Sequence, residues 1–231
     1  MSVSIPALKS IRIFISYSSE DKKTVGSLKD SLEKIGFEVF LAHEDIKSGS
    51  EWEKEIIRNL ERCDIFIPFL SKNFESSEWT DQETGVAIAN NMLIIPLQVD
   101  ILPYGFIGKY QAQKLSKSFK GELDFDETAK EITKTIINDK RFGSDMKEFV
   151  ISSLINSKHW HEANVRVTFL EYFEELTVEE VNRIVDGAIN NLEIYGAFKA
   201  QSVLGEFIEK YKKIIPPDNY TKLKELLKRD E

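Results

Sequence analysis

The chain has 231 residues, of which 42% are hydrophobic and 30% are charged, a balance typical of globular proteins that bury a core. Its net charge of −8 argues against nucleic acid as a partner, because phosphate binding depends on clustered lysine and arginine. A single cysteine, Cys63, excludes an intramolecular disulfide, and no apolar run is long enough to cross a bilayer. The sequence therefore predicts a cytoplasmic protein with neither a signal peptide nor a membrane segment.

The first half of the chain alternates between strand-like and helix-like segments. Runs of β-branched and aromatic residues predict strands at residues 11–15, 37–41, 65–70 and 93–99, and a weaker fifth strand at residues 118–120. The helices predicted between them carry apolar residues at helical spacing: Val25, Leu28, Leu32 and Ile35; Trp52, Ile56 and Leu60; residues 79–90; Ala129, Ile132 and Ile136. Strands that are apolar nearly throughout are typical of a parallel sheet covered on both faces. The pattern predicts a flavodoxin-like, doubly wound α/β domain.

A few residues mark the ends of these elements. Gly36 is predicted to close the first helix, and Ser77 to cap the helix at residues 79–90. Pro68 removes one backbone donor from the third strand. Glu20 and Asp21 are predicted to be first-turn acids that favour the dipole of the first helix.

The second half of the chain changes character. No strand-like run follows residue 145, and helical periodicity predicts a compact all-α domain of about five helices arranged in antiparallel hairpins. We place the α/β domain at residues 1–141 and the helical domain at residues 142–231. The predicted linker is residues 140–145, which contain Gly143.

Ligands of open parallel sheets bind at the carboxyl ends of the strands, and several polar residues are predicted to meet there. Residues 16–18 end the first strand, and the loop after the second strand carries His43. The third strand ends at residues 71–74, and Trp79 and Glu83 follow one turn apart on one face of the next helix. The sequence therefore predicts a pocket for a polar aromatic ligand at this edge.

The sequence lacks the motifs of several other kinds of protein that have such a fold. There is no phosphate-binding G-x-x-x-x-G-K-[ST] and no G-x-G-x-x-G after the first strand. Leu70 and Ser71 stand where a receiver domain needs a phosphorylatable aspartate. His159 and His161 flank Trp160, but they are predicted surface residues rather than metal ligands, so no metal is expected.

Five segments, in order, resemble the TIR (Toll/interleukin-1 receptor) domain family, and most closely its bacterial NAD-cleaving members. These segments are residues 14–18 (FISYS), 36–40 (GFEVF), 63–71 (CDIFIPFLS), 77–83 (SEWTDQE) and 94–97 (IIPL). Each segment alone is a weak signal, but together they cover about residues 10 to 140 at the spacing of the family.

The resemblance implies an NAD⁺ nucleosidase, either a glycohydrolase or an ADP-ribosyl cyclase, that cuts the nicotinamide–ribose bond of NAD as its substrate rather than its cofactor. It implies that Glu83 is the catalytic glutamate and that Tyr17, Ser18, His43 and Trp79 lie near the NAD. A carboxylate there suits the chemistry, since bond cleavage develops an oxocarbenium-like ribose that an anion stabilises.

The resemblance also implies TIR–TIR self-association as the activating step, in prokaryotic antiviral defence or NAD depletion. The helical domain would be a sensor, a docking surface or an oligomerisation unit, through which a protein or ligand trigger acts.

Simpler interpretations of the same residues stay open. Glu83 could be a solvated helix glutamate, Trp79 a packing residue, Tyr17 a cap on the sheet and His43 a solvated loop residue. The whole chain could then be a non-enzymatic adaptor that only scaffolds partners. The carboxylate of the W-x-x-x-E segment favours the enzyme, since adaptor TIR domains often lack it.

Overall fold

The computed structural model describes residues 11–41 and 52–228 of the chain. These residues form two compact units, 11–133 and 134–228, and the division between the units falls inside one helix. The boundary at residue 141 that the sequence predicts stays a prediction. Within the described ranges, no helix is both long and apolar enough to span a membrane.

The first unit contains six strands and five α-helices within its described residues. The strands are β1 (Arg12–Ser16), β2 (Glu38–Leu41), β3 (Ile65–Leu70), β4 (Leu93–Ile94), β5 (Leu97–Gln98) and β6 (Gln113–Lys114). The helices are α1 (Lys22–Ile35), α2 (Trp52–Leu60), α3 (Lys72–Glu75), α4 (Glu78–Ala89) and α5 (Phe125–Asn138), the last of which runs into the second unit.

All strand pairs are parallel, and the sheet has the order β2-β1-β3-β5-β6, with β4 also beside β3. Phe14 of β1 pairs with Phe40 of β2 and Phe66 of β3, and their rings pack with centroids 5.3 and 5.9 Å from Phe14. The core around these rings includes Ile56, Leu60, Leu70, Phe74, Ala87 and Ile94. This parallel sheet, flanked by helices, confirms the predicted fold class.

Pro68 explains why the strand predicted at residues 93–99 is divided into β4 and β5. Phe66 pairs with Ile94 and Phe69 pairs with Leu97, so Pro68 faces the interruption at residues 95–96. Pro68 has no N–H to donate to the ladder there, whereas the Pro96 carbonyl faces β6 and accepts a hydrogen bond from the Gln113 N–H.

The prediction of a fifth strand at residues 118–120 is wrong. The last strand of the sheet is β6, where the Gln113 N–H donates to the Pro96 carbonyl at 2.8 Å. Residues 118–121 instead form a tight turn closed by the Gly121 N–H on the Ser118 carbonyl, with Gly121 at φ +80°. The strand β6 has only two polar residues at the sheet's edge, so it leaves no apolar signal in the sequence.

The end of α1 is confirmed. Gly36 has φ +122° and its N–H bonds to the Leu32 carbonyl, as expected of a glycine that ends a helix. Ser77 occupies the predicted N-cap position of α4, but its side chain forms no capping hydrogen bond within the described part of the chain.

The second unit is helical throughout its described residues, which confirms the predicted helical region. Its helices are α6 (Gly143–Ile155), α7 (Trp160–Arg166), α8 (Val178–Asn190), α9 (Leu192–Tyr195), α10 (Phe198–Lys210) and α11 (Pro217–Leu226), with a 3₁₀ segment at Val167–Tyr172. Gly143 begins α6, and the loop between α5 and α6 spans residues 139–142. The linker predicted at residues 140–145 stays a prediction.

The α6–α8 crossing organises this unit. The Arg183 guanidinium of α8 forms a two-pronged ion pair with the Glu148 carboxylate of α6, at 2.7 and 2.8 Å. At the same crossing Gly187 lies against Ile155, where a Cβ on the glycine would approach the Ile155 Cβ to 2.7 Å. The close approach of the two helices therefore depends on glycine at position 187.

Candidate functional site

Glu83 occupies a position that a core residue would normally fill. Helix α4 packs against β1 and β3, and its buried residues are Thr80, Glu83, Thr84 and Ala87. Glu83 is 2% exposed, and Ala87, one turn further along the same helix, belongs to the apolar core. A carboxylate at such a position is costly unless hydrogen bonds compensate for its burial.

One hydrogen bond partly compensates for that burial. The Ser16 hydroxyl, at the end of β1, donates to Oε2 of Glu83, and Ser16 is itself fully buried. Ser16 and Phe14 are two apart in the strand, so their side chains lie on the same face of the sheet. The Ser16–Glu83 pair therefore lies on the face that carries the aromatic core, at the carboxyl end of the strand. Among the described residues, Oε1 of Glu83 accepts no hydrogen bond.

The environment of Glu83 changes its acidity. Burial raises the pKa of Glu83 from 4.5 to about 7, and the Ser16 hydrogen bond opposes that rise because it stabilises the charged form. The carboxylate therefore gains and loses its proton near neutral pH. Such perturbed groups at the end of a sheet are candidates for catalysis.

The segment after β1 is tied to the end of β3. The Asp21 carboxylate accepts a hydrogen bond from the Ser71 hydroxyl at 2.6 Å and from the Asn73 amide at 3.2 Å. The sequence predicts that Asp21 acts on the helix dipole, but the structure gives it these two partners across the rim. We call these two hydrogen bonds of Asp21 the clamp. Tyr17 and Ser18 lie between Ser16 and the clamp, so their backbone is held at both ends.

The predicted site residues have different placements. Tyr17 is fully buried, and Ser18 is buried directly after it. Trp79 is half-buried and lies one turn before Glu83 on α4. His43 lies outside the described residues. The roles of all four toward a ligand stay predictions.

Ser16 is the site residue that sequence reasoning misses. The sequence places it with Tyr17 and Ser18 at the end of the first strand but gives it no separate role. The available signal is its position: a small polar residue that follows three buried apolar residues, Ile13, Phe14 and Ile15, at the end of the strand.

A separate cleft of about 560 Å³ lies along α4. Asp81, Thr84, Tyr104 and Phe106 are among the residues that line it, and the Tyr104 hydroxyl donates to the Asp81 carboxylate at 2.9 Å. Phe74, at the end of the predicted third-strand segment 71–74, also lines this cleft, whereas Glu83 does not.

In the part of the chain that the structure describes, no group of three or more His, Cys, Asp or Glu side chains is placed to hold a metal ion. His159 and His161 stack on each other with ring centroids 5.3 Å apart.

The parallel sheet and the buried glutamate on α4 define an α/β domain of the flavodoxin-like class with an acidic residue at its rim. A sequence profile described as the TIR domain matches residues 13–133, more than half of the chain. The chain belongs to the TIR domain family.

A bacterial relative shares part of this domain. The 2′ cyclic ADP-D-ribose synthase BtTIR of Bacteroides thetaiotaomicron is 32% identical over 94 residues, which are 38% of this chain and 33% of that protein. This chain therefore matches about a third of the relative's length.

Two solved structures resemble part of the chain. The TIR domain of the Toll-related receptor TRR-2 from Hydra magnipapillata has a TM-score of 0.40 and 19% identity, over 44% of this chain and 82% of that one. The CMP N-glycosidase BcmB of Clostridium botulinum has a TM-score of 0.36 and 20% identity, over 52% of this chain and 97% of that one. Neither likeness bears on the substrate of this chain.

Proposed function

We propose that this protein cleaves NAD⁺ at the nicotinamide–ribose bond and that the Glu83 carboxylate is the catalytic group. The observation that carries the proposal is the position of Glu83: a buried carboxylate at the carboxyl end of β1, with Oε2 held by Ser16 and Oε1 left as a hydrogen-bond acceptor. A group kept in the core at a cost in stability is typical of functional sites.

The chemistry needs one anion and no strong acid. Nicotinamide carries its positive charge before the bond breaks and leaves as a neutral molecule, so the bonding electron pair goes with its ring nitrogen. Positive charge then develops on the ribose, where a nearby carboxylate stabilises it. Water attacks the anomeric carbon and releases a proton, which gives ADP-ribose and nicotinamide. Attack by a hydroxyl of the same molecule instead gives a cyclic ADP-ribose.

The name of the bacterial relative supports the cyclic product as a second outcome. We further propose that contacts between TIR domains bring the enzyme to its active state, and that NAD loss serves prokaryotic antiviral defence. Membership of the TIR family supports the self-association part of this proposal. The helical second unit would then receive the protein or ligand trigger.

The test is product analysis by mass spectrometry, with the full chain clustered at high density on beads and incubated with NAD⁺. We expect nicotinamide together with ADP-ribose or a cyclic isomer of it. Intact NAD⁺ after prolonged incubation with clustered protein would contradict the proposal and favour a non-enzymatic scaffold. Clustering is needed because an enzyme that is active only when assembled would be silent in dilute solution.

A further inference from the structure

The two oxygens of the Glu83 carboxylate have different surroundings. Oε2 accepts the hydrogen bond of the Ser16 hydroxyl, whereas Oε1 is buried without a hydrogen-bond partner among the described residues. We propose that Ser16 is a positioning residue, which holds Oε2 so that Oε1 alone faces the sugar of the substrate. This inference rests on the proposed function.

The backbone of Ser16 is well placed for this role because β1 is an inner strand of the sheet. It pairs with β2 on one side and with β3 on the other, and Ser16 lies opposite Pro68 of β3. A hydroxyl on an inner strand moves less than one on a loop, and rigid elements orient catalytic groups best. The short serine side chain also has few rotamers through which to lose the contact.

The Ser16 hydroxyl also affects the charge on Glu83. Since it donates to the carboxylate, it favours the ionised form and opposes the effect of burial. Without this hydrogen bond the carboxyl group could rotate, and its pKa would rise further. Ser16 therefore sets both the orientation of the carboxylate and the pH range in which it is charged.

The experiment compares the wild type with Ser16→Ala and Ser16→Thr, and with Ser27→Ala as a control at a hydroxyl on the surface of α1. The carboxyl carbon of Glu83 is followed by NMR in protein labelled with ¹³C-glutamate, and its signal is assigned from its loss in Glu83→Gln. We expect Ser16→Ala to raise the midpoint of the Glu83 titration by about one pH unit, a tenfold change in proton affinity. Ser16→Thr retains the hydroxyl and should titrate like the wild type, as should Ser27→Ala.

Kinetics give the second readout. For clustered Ser16→Ala, we expect kcat for NAD⁺ to fall about tenfold at pH 7 and to recover in part at pH 9, with KM within about twofold of the wild type. A titration midpoint and a pH–rate profile that coincide with those of the wild type would overturn the positioning role. If Ser16→Ala fails to fold, Ser16→Cys, with its weaker donor, carries the same two measurements.

Failure of this inference differs from failure of the proposed function. A wild type that consumes NAD⁺, an inert Glu83→Gln and an unaffected Ser16→Ala would reject Ser16 alone. A clustered wild type that leaves NAD⁺ intact would reject the enzymatic proposal and the role of Ser16 with it, whatever the titration shows.

Discussion

Ser16 and Glu83 are 67 residues apart in the chain, yet the Ser16 hydroxyl donates a hydrogen bond to the Glu83 carboxylate in the interior of the protein. This contact joins the end of β1 to the first half of α4. It provides one hydrogen bond to a buried charge and leaves the second carboxylate oxygen without a described partner. The charged form of Glu83 should therefore lower the free energy of unfolding, and this effect can be measured without any substrate.

The first prediction concerns stability and pH. Because the pKa of Glu83 is raised to about 7 in the folded protein, the folded state binds more protons than the unfolded state between pH 4.5 and 7. Stability of the wild type should therefore fall as the pH rises through this window. Glutamine does not titrate. The unfolding free energy of Glu83→Gln minus that of the wild type should therefore be about 1 to 3 kcal/mol larger at pH 8 than at pH 4.5.

Urea unfolding at pH 4.5 and pH 8 measures this difference. Glu61→Gln, at an exposed position near the end of α2, is the matched control and should show no change in the gap between the two pH values. A gap for Glu83→Gln that is equally independent of pH would mean that burial does not raise the pKa of Glu83.

The second prediction concerns the rate. If the carboxylate form of Glu83 stabilises the developing positive charge, kcat/KM for NAD⁺ should rise with pH to a plateau, with a midpoint near 7. Below the midpoint it should fall about tenfold per pH unit. Rates of nicotinamide release from pH 5 to 9 test this, and a flat profile across that range would show that no group with this pKa controls the reaction.

The third prediction concerns the clamp at the rim. Asp21→Ala removes the acceptor of the Ser71 hydroxyl, which is buried, and of the Asn73 amide. We expect a loss of about 1 to 2 kcal/mol in unfolding free energy, together with slower NAD⁺ cleavage as residues 17–18 become less ordered. Glu20→Ala, at the exposed neighbouring position, should be close to neutral in both measurements. Equal stability of the two variants would show that the clamp contributes nothing.

The fourth prediction concerns the helical unit. Gly187→Ala introduces a methyl group against the branched side chain and backbone of Ile155, which cannot easily move aside, and should cost about 1 to 3 kcal/mol. Gly205→Ala, in α10, meets no atom within 4 Å and should instead stabilise the protein by about 0.5 to 1 kcal/mol. Thermal unfolding of both variants compares the two effects, which should have opposite signs. Two shifts of the same sign would contradict the close α6–α8 crossing.

Most of the fold is predictable because strong local signals agree with the tertiary structure. The apolar run of β3 and the glycine that ends α1 are examples, and both have their predicted bounds. The strand β6 is two polar residues whose pairing depends on β5, so its signal is not local. Gly143 is predicted to lie in a linker because glycine is common in loops, yet it begins α6. Its helical neighbours lie only on its C-terminal side, so the local sequence gives a weak helical signal.

The site is predictable only in part. The order of strands places residues 16–18 and α4 at one rim, and this placement follows from topology. The burial of Glu83 does not follow from its neighbours, since α4 has three polar residues, Thr80, Glu83 and Thr84, on its buried side and lacks a clear apolar face. The bond to Ser16 is a contact across 67 residues, and only the assembled sheet brings its two ends together.

The most direct test of the account compares NAD⁺ cleavage by Glu83→Gln with cleavage by Glu61→Gln, each as the full chain clustered at the same density and checked for folding by circular dichroism. Glutamine retains the size of the side chain and can still accept the Ser16 hydrogen bond, but it carries no charge. We predict that Glu61→Gln releases nicotinamide at the wild-type rate and that Glu83→Gln is slower by about a hundredfold or more. Equal rates for the two variants would contradict this prediction.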